Sequence, residues 1–171
     1  MNRADIPAGG STPFDHVPDA WAAFNRYYGT LWSEGVLDQA TKEVGRLRNA
    51  RVTGCGICRN LRFDGAREAG LTEDLVELID DDHADSALPD RYKLAARWAD
   101  VLIDDPAGSS PELRAELLDE FGADGVVELT ATITAAIAFS KAAVAFGAPG
   151  ALRSVLRCRR SPALADGGRL A

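Results

Sequence analysis

Apolar and polar positions alternate with helical periodicity along most of this chain. Between residues 19 and 33, bulky apolar side chains return every three or four positions, as Trp21, Phe24, Tyr28 and Leu31. This spacing places them on one face of a helix, which predicts a helix beginning near Pro18 or Asp19. The sequence has no valine- or isoleucine-rich alternating segment of the kind that predicts a strand. The pattern therefore favours an all-α fold.

Capping and breaking residues set the expected bounds of the next three helices. Asp38 is suited to cap one helix, and Thr72 is suited to cap a short helix with acidic residues in its first turn. Gly70 supplies the left-handed stop that commonly ends a helix. The predicted helices cover about 39–52, 55–69 and 73–79.

The second half of the chain predicts three more helices. One covers the apolar positions around 92–102 and ends before Pro106. The Ser110-Pro111 pair is a strong start signal for the next, over 112–121. The last, from about 123 to 146, is apolar on nearly every face. Such a helix is typical of the buried centre of a bundle or of an oligomer.

These elements predict a single domain, a bundle of roughly six to eight helices around the last helix. A chain of 171 residues can bury a sizeable core in one domain and is short for two. Both ends are rich in turn-forming residues and lack periodicity. We therefore expect an extended or disordered arm over 1–18, a helical domain over 19–158 and a disordered tail over 159–171.

Charge and composition exclude several classes of protein. The net charge of -7 argues against nucleic acid as a partner, because affinity for phosphates comes from clustered lysine and arginine. No positively charged start followed by an apolar stretch is present, so we expect a cytoplasmic protein. The longest apolar segment, 131–149, is interrupted by polar residues and is not expected to span a membrane.

Two of the three cysteines, Cys55 and Cys58, form a Cys-x-x-Cys pair at a predicted helix start. Thiols so placed can form a disulfide, and the positive end of the helix dipole lowers a thiol pKa. A zinc half-site is the main rival, but no second pair follows, and His16 and His83 lie in poor contexts. The pair therefore favours redox chemistry over zinc binding or inert structural cysteines.

Three other features carry weaker signals. His83 lies in an acidic loop before a proline, where side chains are usually only solvated. Cys158 lies among arginines that favour an acidic thiol, but a lone cysteine in a tail is more often incidental. The aromatic residues between 21 and 32 are better explained as core or subunit contacts than as a cofactor site.

The cysteine pair belongs to a longer motif. Glu43 stands on the preceding predicted helix, which gives the arrangement Glu43-x11-Cys55-x2-Cys58. This arrangement resembles the carboxymuconolactone decarboxylase superfamily, specifically its alkylhydroperoxidase D-like branch. The likeness continues through 69–72, 91–95, 98–100 and 128–130 and covers roughly 37–148. The motif is fairly specific, since it fixes spacing across two helices.

The resemblance implies a helical bundle of the alkylhydroperoxidase D-like type and a thiol peroxidase or disulfide reductase. Cys58 would attack a hydroperoxide, and Cys55 would resolve the sulfenic acid into a disulfide. Glu43 would accept or relay the proton. A dithiol or thioredoxin-like donor would recharge the pair, with no metal or organic cofactor. Related folds assemble as homotrimers or homohexamers, with which the apolar last helix is compatible.

Arg62 departs from the family pattern, which has a histidine four residues after the second cysteine. An arginine remains charged and cannot shuttle a proton as imidazole does. It can still stabilise a Cys58 thiolate about one turn away. Alternatively, it can pair with Glu43 and remove both from proton relay, or the two can form a plain interhelical salt bridge.

Two other functions stay open for this reason. The first is an acid/base enzyme acting on lactones, as in the decarboxylase branch, although that branch generally lacks the cysteine pair. The second is a catalytically silent, oligomeric redox sensor in which Arg62 locks the site.

Overall fold

We describe the fold from a computed structural model, which covers residues 12–147 and the backbone of 156–158. The segment 1–11 of the expected N-terminal arm and the whole expected tail, 159–171, lie outside the described residues. Pro13–His16 forms a 3-10 turn directly before the first helix.

Seven α-helices make up most of the described chain, which confirms the all-α prediction. They are α1 (Pro18–Ser33), α2 (Gln39–Val52), α3 (Gly56–Asn60), α4 (Asp64–Glu68), α5 (Glu73–Glu77), α6 (Asp90–Asp104) and α7 (Pro111–Ala145). Short 3-10 turns at His83–Asp85 and Pro106–Gly108 flank α6.

The predicted caps lie at the predicted helix starts. The Asp38 side chain accepts a hydrogen bond from the Thr41 amide at 2.8 Å, which begins α2. Thr72 and Ser110 act in the same way at the starts of α5 and α7. These bonds satisfy amide groups that have no partner inside the first turn of a helix.

The single helix predicted over 55–69 is wrong. The chain leaves α3 at Leu61 and runs extended as β1 (Leu61–Phe63) before α4 begins. β1 pairs in parallel with β2 (Leu156–Cys158), so a three-residue pairing exists where no sheet was expected. The physical reason is tertiary, because arginine side chains bind carbonyl groups that a continuous helix would have used.

α7 contains the two helices that were predicted over 112–121 and 123–146. Gly122 separates them with φ 66° and ψ 172°, a conformation that is essentially restricted to glycine. By length and composition α7 is apolar enough to cross a membrane, and 39% of its most apolar stretch is buried inside the protein. Core helices of water-soluble proteins can have the same length and composition, so this helix does not by itself place the protein in a membrane.

The centre of the bundle is α2 rather than the second half of α7 alone. Every residue from Ala40 to Ala50 is buried, and α2 packs against both α6 and α7. Gly45 allows the close approach of α7, because a β-carbon there would lie 2.8 Å from the Ile133 side chain. This close contact sets the distance between the two helices that carry the residues around the cysteines.

Candidate redox site

Cys55 and Cys58 form a disulfide at the start of α3, with their α-carbons 5.3 Å apart. The Cys55 amide bonds the Ala50 carbonyl at the end of α2, and Gly54 turns the chain between them with φ 68°. Cys55 is the N-cap residue of α3, and its sulfur accepts a hydrogen bond from the Cys58 amide at 3.3 Å. Cys55 is fully buried, and Cys58 is 4% exposed.

A buried hydroxyl group from α7 contacts the second sulfur. The Ser140 hydroxyl donates to Cys58 Sγ at 3.3 Å, and the Asn49 side-chain amide donates to Ser140 Oγ at 3.0 Å. Ala50, Ile57, Phe139, Ala143 and Val144 form the apolar surroundings of the cysteine pair. Neither Ser140 nor Asn49 belongs to the site predicted from the sequence.

Glu43 is joined to the cysteine helix through Arg46. The Glu43 carboxylate accepts two hydrogen bonds from Arg46, both at 2.6 Å, and both side chains are buried. Arg46 also donates to the carbonyl oxygens of Cys58, at 2.6 Å, and Leu61, at 2.7 Å. Burial tends to lower the pKa of the Arg46 guanidinium, but the Glu43 carboxylate outweighs burial and raises it. Arg46 is therefore a charged link between the carboxylate and the backbone of the cysteine helix.

Arg46 was missed as a site residue. The sequence feature that could have identified it is the Glu-x-x-Arg spacing on α2, which places the Glu43 and Arg46 side chains on one face of the helix. The sequence could not show that the same guanidinium would also reach the carbonyl oxygens of Cys58 in α3 and of Leu61 directly after it.

Arg62 does not pair with Glu43 in this structure, which contradicts the pairing left open above. Its guanidinium donates to the Glu73 carboxylate at 3.2 Å. It also donates to the carbonyl oxygens of Arg59, at 2.6 Å, and Leu61, at 3.1 Å. Arg62 thus closes the turn between α3 and β1 and ties it to α5.

An aromatic group lies beside the Glu43–Arg46 pair. The Arg46 guanidinium lies 5.3 Å from the centre of the Phe63 ring, which contacts the buried Trp32 ring at 4.4 Å. Burial raises the pKa of Tyr28 to about 12, against a smaller lowering by Arg46 and with a further increase from Glu43. Tyr28 therefore stays a neutral phenol at physiological pH.

The weaker sequence candidates take other positions. His83 is buried, and its Nε2 lies 2.8 Å from Asp100, which also binds Arg48. Among the described residues, no group of three or more His, Cys, Asp or Glu side chains is arranged to hold a metal ion. Cys158 pairs with Phe63 through the backbone of β2.

Residues 18–107 match the profile of the carboxymuconolactone decarboxylase family. The chain belongs to this family. The matched segment contains Glu43, Cys55, Cys58 and Arg62 and ends before α7.

Two uncharacterised proteins, from two strains of Mycobacterium tuberculosis (CDC 1551 / Oshkosh and ATCC 25618 / H37Rv), are each 36% identical over 140 residues. The match covers 81% of this chain and 49% of each relative, so the chain spans about half the length of these curated relatives.

The fold is similar to a solved structure of a protein of unknown function from Agrobacterium tumefaciens, described as a candidate antioxidant defence protein AhpD. The TM-score is 0.69 at 20% identity, and the match covers 80% of this chain and 93% of the other. The likeness confirms the predicted alkylhydroperoxidase D-like fold.

Proposed function

We propose that this protein is a thiol-dependent hydroperoxide reductase that cycles Cys55 and Cys58 between dithiol and disulfide. The observation that carries the proposal is the buried disulfide, held next to a buried carboxylate through one guanidinium. The apolar surroundings of the pair suit an organic hydroperoxide better than a charged substrate. Membership of the carboxymuconolactone decarboxylase family supports a role of this general type.

The first half of the cycle oxidises the protein. The Cys58 thiolate attacks the hydroperoxide, the O–O bond breaks, and an S–O bond forms, giving a sulfenic acid and an alkoxide. The alkoxide takes up the proton that Cys58 lost and leaves as an alcohol. Cys55 then attacks the sulfenic sulfur, so that the S–S bond forms and the hydroxyl leaves as water with the Cys55 proton.

Glu43 is the proposed carrier of the Cys58 proton, which it accepts when one of its two hydrogen bonds to Arg46 opens and frees a carboxylate oxygen. It is the carboxylate linked to the Cys58 backbone through Arg46, and its environment excludes bulk water. Arg62 is not assigned a proton-transfer role, because an arginine does not release its proton and its donors bind Glu73 and two carbonyl groups.

The second half of the cycle reduces the protein. A dithiol donor, either a small molecule or a thioredoxin-like protein, attacks the disulfide and leaves as its own disulfide, and two electrons and two protons return to Cys55 and Cys58. Such a cycle suits a reducing cytoplasm. We propose a homotrimer or homohexamer as the working assembly.

Thiol counting combined with turnover tests this function. Reduced Cys158→Ser protein is treated with one equivalent of cumene hydroperoxide, and the free thiols and cumyl alcohol are counted. We expect two thiols to disappear for each alcohol formed, and turnover to continue when dithiothreitol or dihydrolipoamide is supplied. Cys58→Ser should abolish alcohol formation, whereas Cys55→Ser should form one alcohol and stop at the sulfenic acid.

The same assay compares the protein with its Arg62→His variant. A higher turnover rate in Arg62→His than in the unsubstituted protein would show that Arg62 limits proton transfer in a working peroxidase. Unchanged thiols and no alcohol in both proteins would contradict the peroxidase proposal and favour either the catalytically silent protein or the lactone acid/base enzyme.

A further inference from the structure

We propose that Ser140, oriented by Asn49, is the hydrogen-bond donor that stabilises the Cys58 thiolate. The inference rests on the proposed use of Cys58 as the nucleophile. It assigns a catalytic role to one residue of α7 and a positioning role to one residue of α2.

The behaviour of the other hydroxyl residues in α7 makes Ser140 distinct. Thr130, Thr132 and Thr134 each donate to the carbonyl oxygen four residues earlier, which is the usual partner of a hydroxyl inside a helix. Ser140 instead donates across the helix interface to Cys58 Sγ at 3.3 Å. Its hydroxyl therefore serves the cysteine and not its own helix.

Asn49 determines the direction of that hydroxyl. Because the Asn49 amide nitrogen donates to Ser140 Oγ, the oxygen acts as acceptor toward α2, and its own proton is directed to the sulfur. Asn49 and Ser140 are both essentially fully buried, at 0% and 1% exposure. Asn49 Oδ1 has no hydrogen-bond partner within the part of the chain described, and a buried unpaired oxygen costs stability.

The charged side chains around Cys58 are engaged with other partners or with solvent, so the role of thiolate stabiliser is left to Ser140. The titratable and charged side chains on α3, on β1 and on the neighbouring parts of α1, α2 and α7 include Tyr28, Glu43, Arg46, Arg59, Arg62 and Lys141. α2 also carries Lys42, Arg48 and Arg51, and these three pair with carboxylates of Glu128, of Asp81 and Asp100, and of Glu77 and Asp80. Arg46 binds the carbonyl oxygen of Cys58 and is neutralised by Glu43. Arg62 is paired with Glu73, while Arg59 and Lys141 are exposed to solvent. The Ser140 hydroxyl proton is thus the side-chain donor directed at the sulfur, and it adds to the effect of the helix start on the thiolate.

The test measures the pKa of Cys58 in a protein where it is the only thiol. The background carries Cys55→Ser and Cys158→Ser, and the rate of alkylation by iodoacetamide is followed against pH with mass spectrometry. A hydrogen bond to the thiolate favours the charged form, so Ser140→Ala should raise the Cys58 pKa by about 1. At a pH below the Cys58 pKa of both proteins, alkylation should be roughly tenfold slower in Ser140→Ala than in the background protein, because a smaller fraction of Cys58 is thiolate.

Thr132→Ala is the matched control, since it removes an equally buried hydroxyl of α7 that bonds a backbone carbonyl. It should leave the Cys58 pKa unchanged. Asn49→Ala frees the Ser140 hydroxyl to turn away and should raise the pKa by a smaller amount. The double variant Asn49→Ala/Ser140→Ala should match Ser140→Ala alone, because Asn49 acts only through Ser140.

Equal pKa values in Ser140→Ala and Thr132→Ala would overturn the inference, as would a double variant whose pKa rise is the sum of the two single rises. Alkylation needs no peroxide, so the two proposals can fail separately. A raised pKa without hydroperoxide turnover would uphold the hydrogen bond and reject the peroxidase. Hydroperoxide turnover with an unchanged Cys58 pKa would uphold the peroxidase and reject the role of the Ser140 hydrogen bond.

Discussion

Arg46 is the residue on which the arrangement of the site depends most. It binds Glu43 on its own helix and two carbonyl oxygens at the far end of α3, so one side chain connects α2 with the cysteine helix. Breaking a buried ion pair by removing one partner is costly, because the other charge is left buried and uncompensated. The stability of the fold and the geometry of the site therefore share this residue.

We expect Arg46→Met to lower the free energy of unfolding by about 3–5 kcal/mol, because Glu43 would remain buried without its partner. Urea denaturation followed by circular dichroism measures the change. Arg97→Met is the matched control, since it breaks the exposed Arg97–Glu116 pair and should cost about 0–1 kcal/mol. Similar losses of unfolding free energy in the two variants would show that the buried Arg46–Glu43 pair stabilises the fold no more than an exposed pair does.

At this scale the sequence predicts what is local and misses what is distant. Cys55, Cys58 and Glu43 stand at fixed spacing within two neighbouring helices, so a motif can identify them. Ser140 lies 82 residues from Cys58 along the chain, and its contact depends on how closely α2 and α7 pack. No short spacing encodes that distance.

At the scale of the elements, Asp38 controls how α2 begins. Its carboxylate accepts bonds from the Thr41 amide, at 2.8 Å, and from the Thr41 hydroxyl, at 2.7 Å, and it forms an ion pair with Arg91 at 3.1 Å. Partial burial tends to raise the pKa of Asp38, but these hydrogen bonds and Arg91 outweigh it and lower the pKa.

We expect Asp38→Ala to destabilise the protein by about 1 kcal/mol through loss of the cap. Asp38→Asn keeps an acceptor for the Thr41 amide and should lose less. Because the folded-state pKa of Asp38 is lowered, its charge stabilises the fold above the unfolded pKa, and that contribution disappears as pH falls through the folded value.

Urea denaturation at a series of pH values tests this sign. The stability difference between the wild-type protein and Asp38→Asn should be largest near neutral pH and should shrink below about pH 4. A difference that grows on acidification would show that the charge of Asp38 does not stabilise α2.

The helix expected over 55–69 illustrates why element bounds are harder to predict than element types. The segment from Cys55 to Ala69 contains no proline and is followed by Gly70, a common helix stop, so local reasoning continues the helix to Ala69. In the structure, Arg46 and Arg62 bind the carbonyl oxygens of Cys58, Arg59 and Leu61, and the backbone then follows β2. Those donors are arginine side chains, and a local sequence pattern does not show which backbone carbonyls they reach.

At the scale of the whole molecule, the disulfide closes a very short loop. The two cysteines are three positions apart, and the entropy lost from the unfolded chain grows with loop length. The bond should therefore contribute at most about 2 kcal/mol to stability. The packed helices provide the rest of the stability, so we expect the fold to persist in both redox states.

Urea denaturation with and without dithiothreitol checks this expectation. The free energy of unfolding should fall by no more than about 2 kcal/mol on reduction. The Cys55→Ser variant is the control, and its stability should not respond to the reductant. Unfolding on reduction alone would mean that the protein cannot complete a cycle through the dithiol state.

The burial of both sulfur atoms has a kinetic consequence. Cys55 is 0% and Cys58 is 4% exposed, so the proposed hydroperoxide and reductant would have to reach the same buried sulfur atoms, and we expect them to bind one at a time. Each reactant or its product then has to leave before the other reactant binds, which gives ping-pong kinetics. Double-reciprocal plots at several reductant concentrations would accordingly be parallel lines.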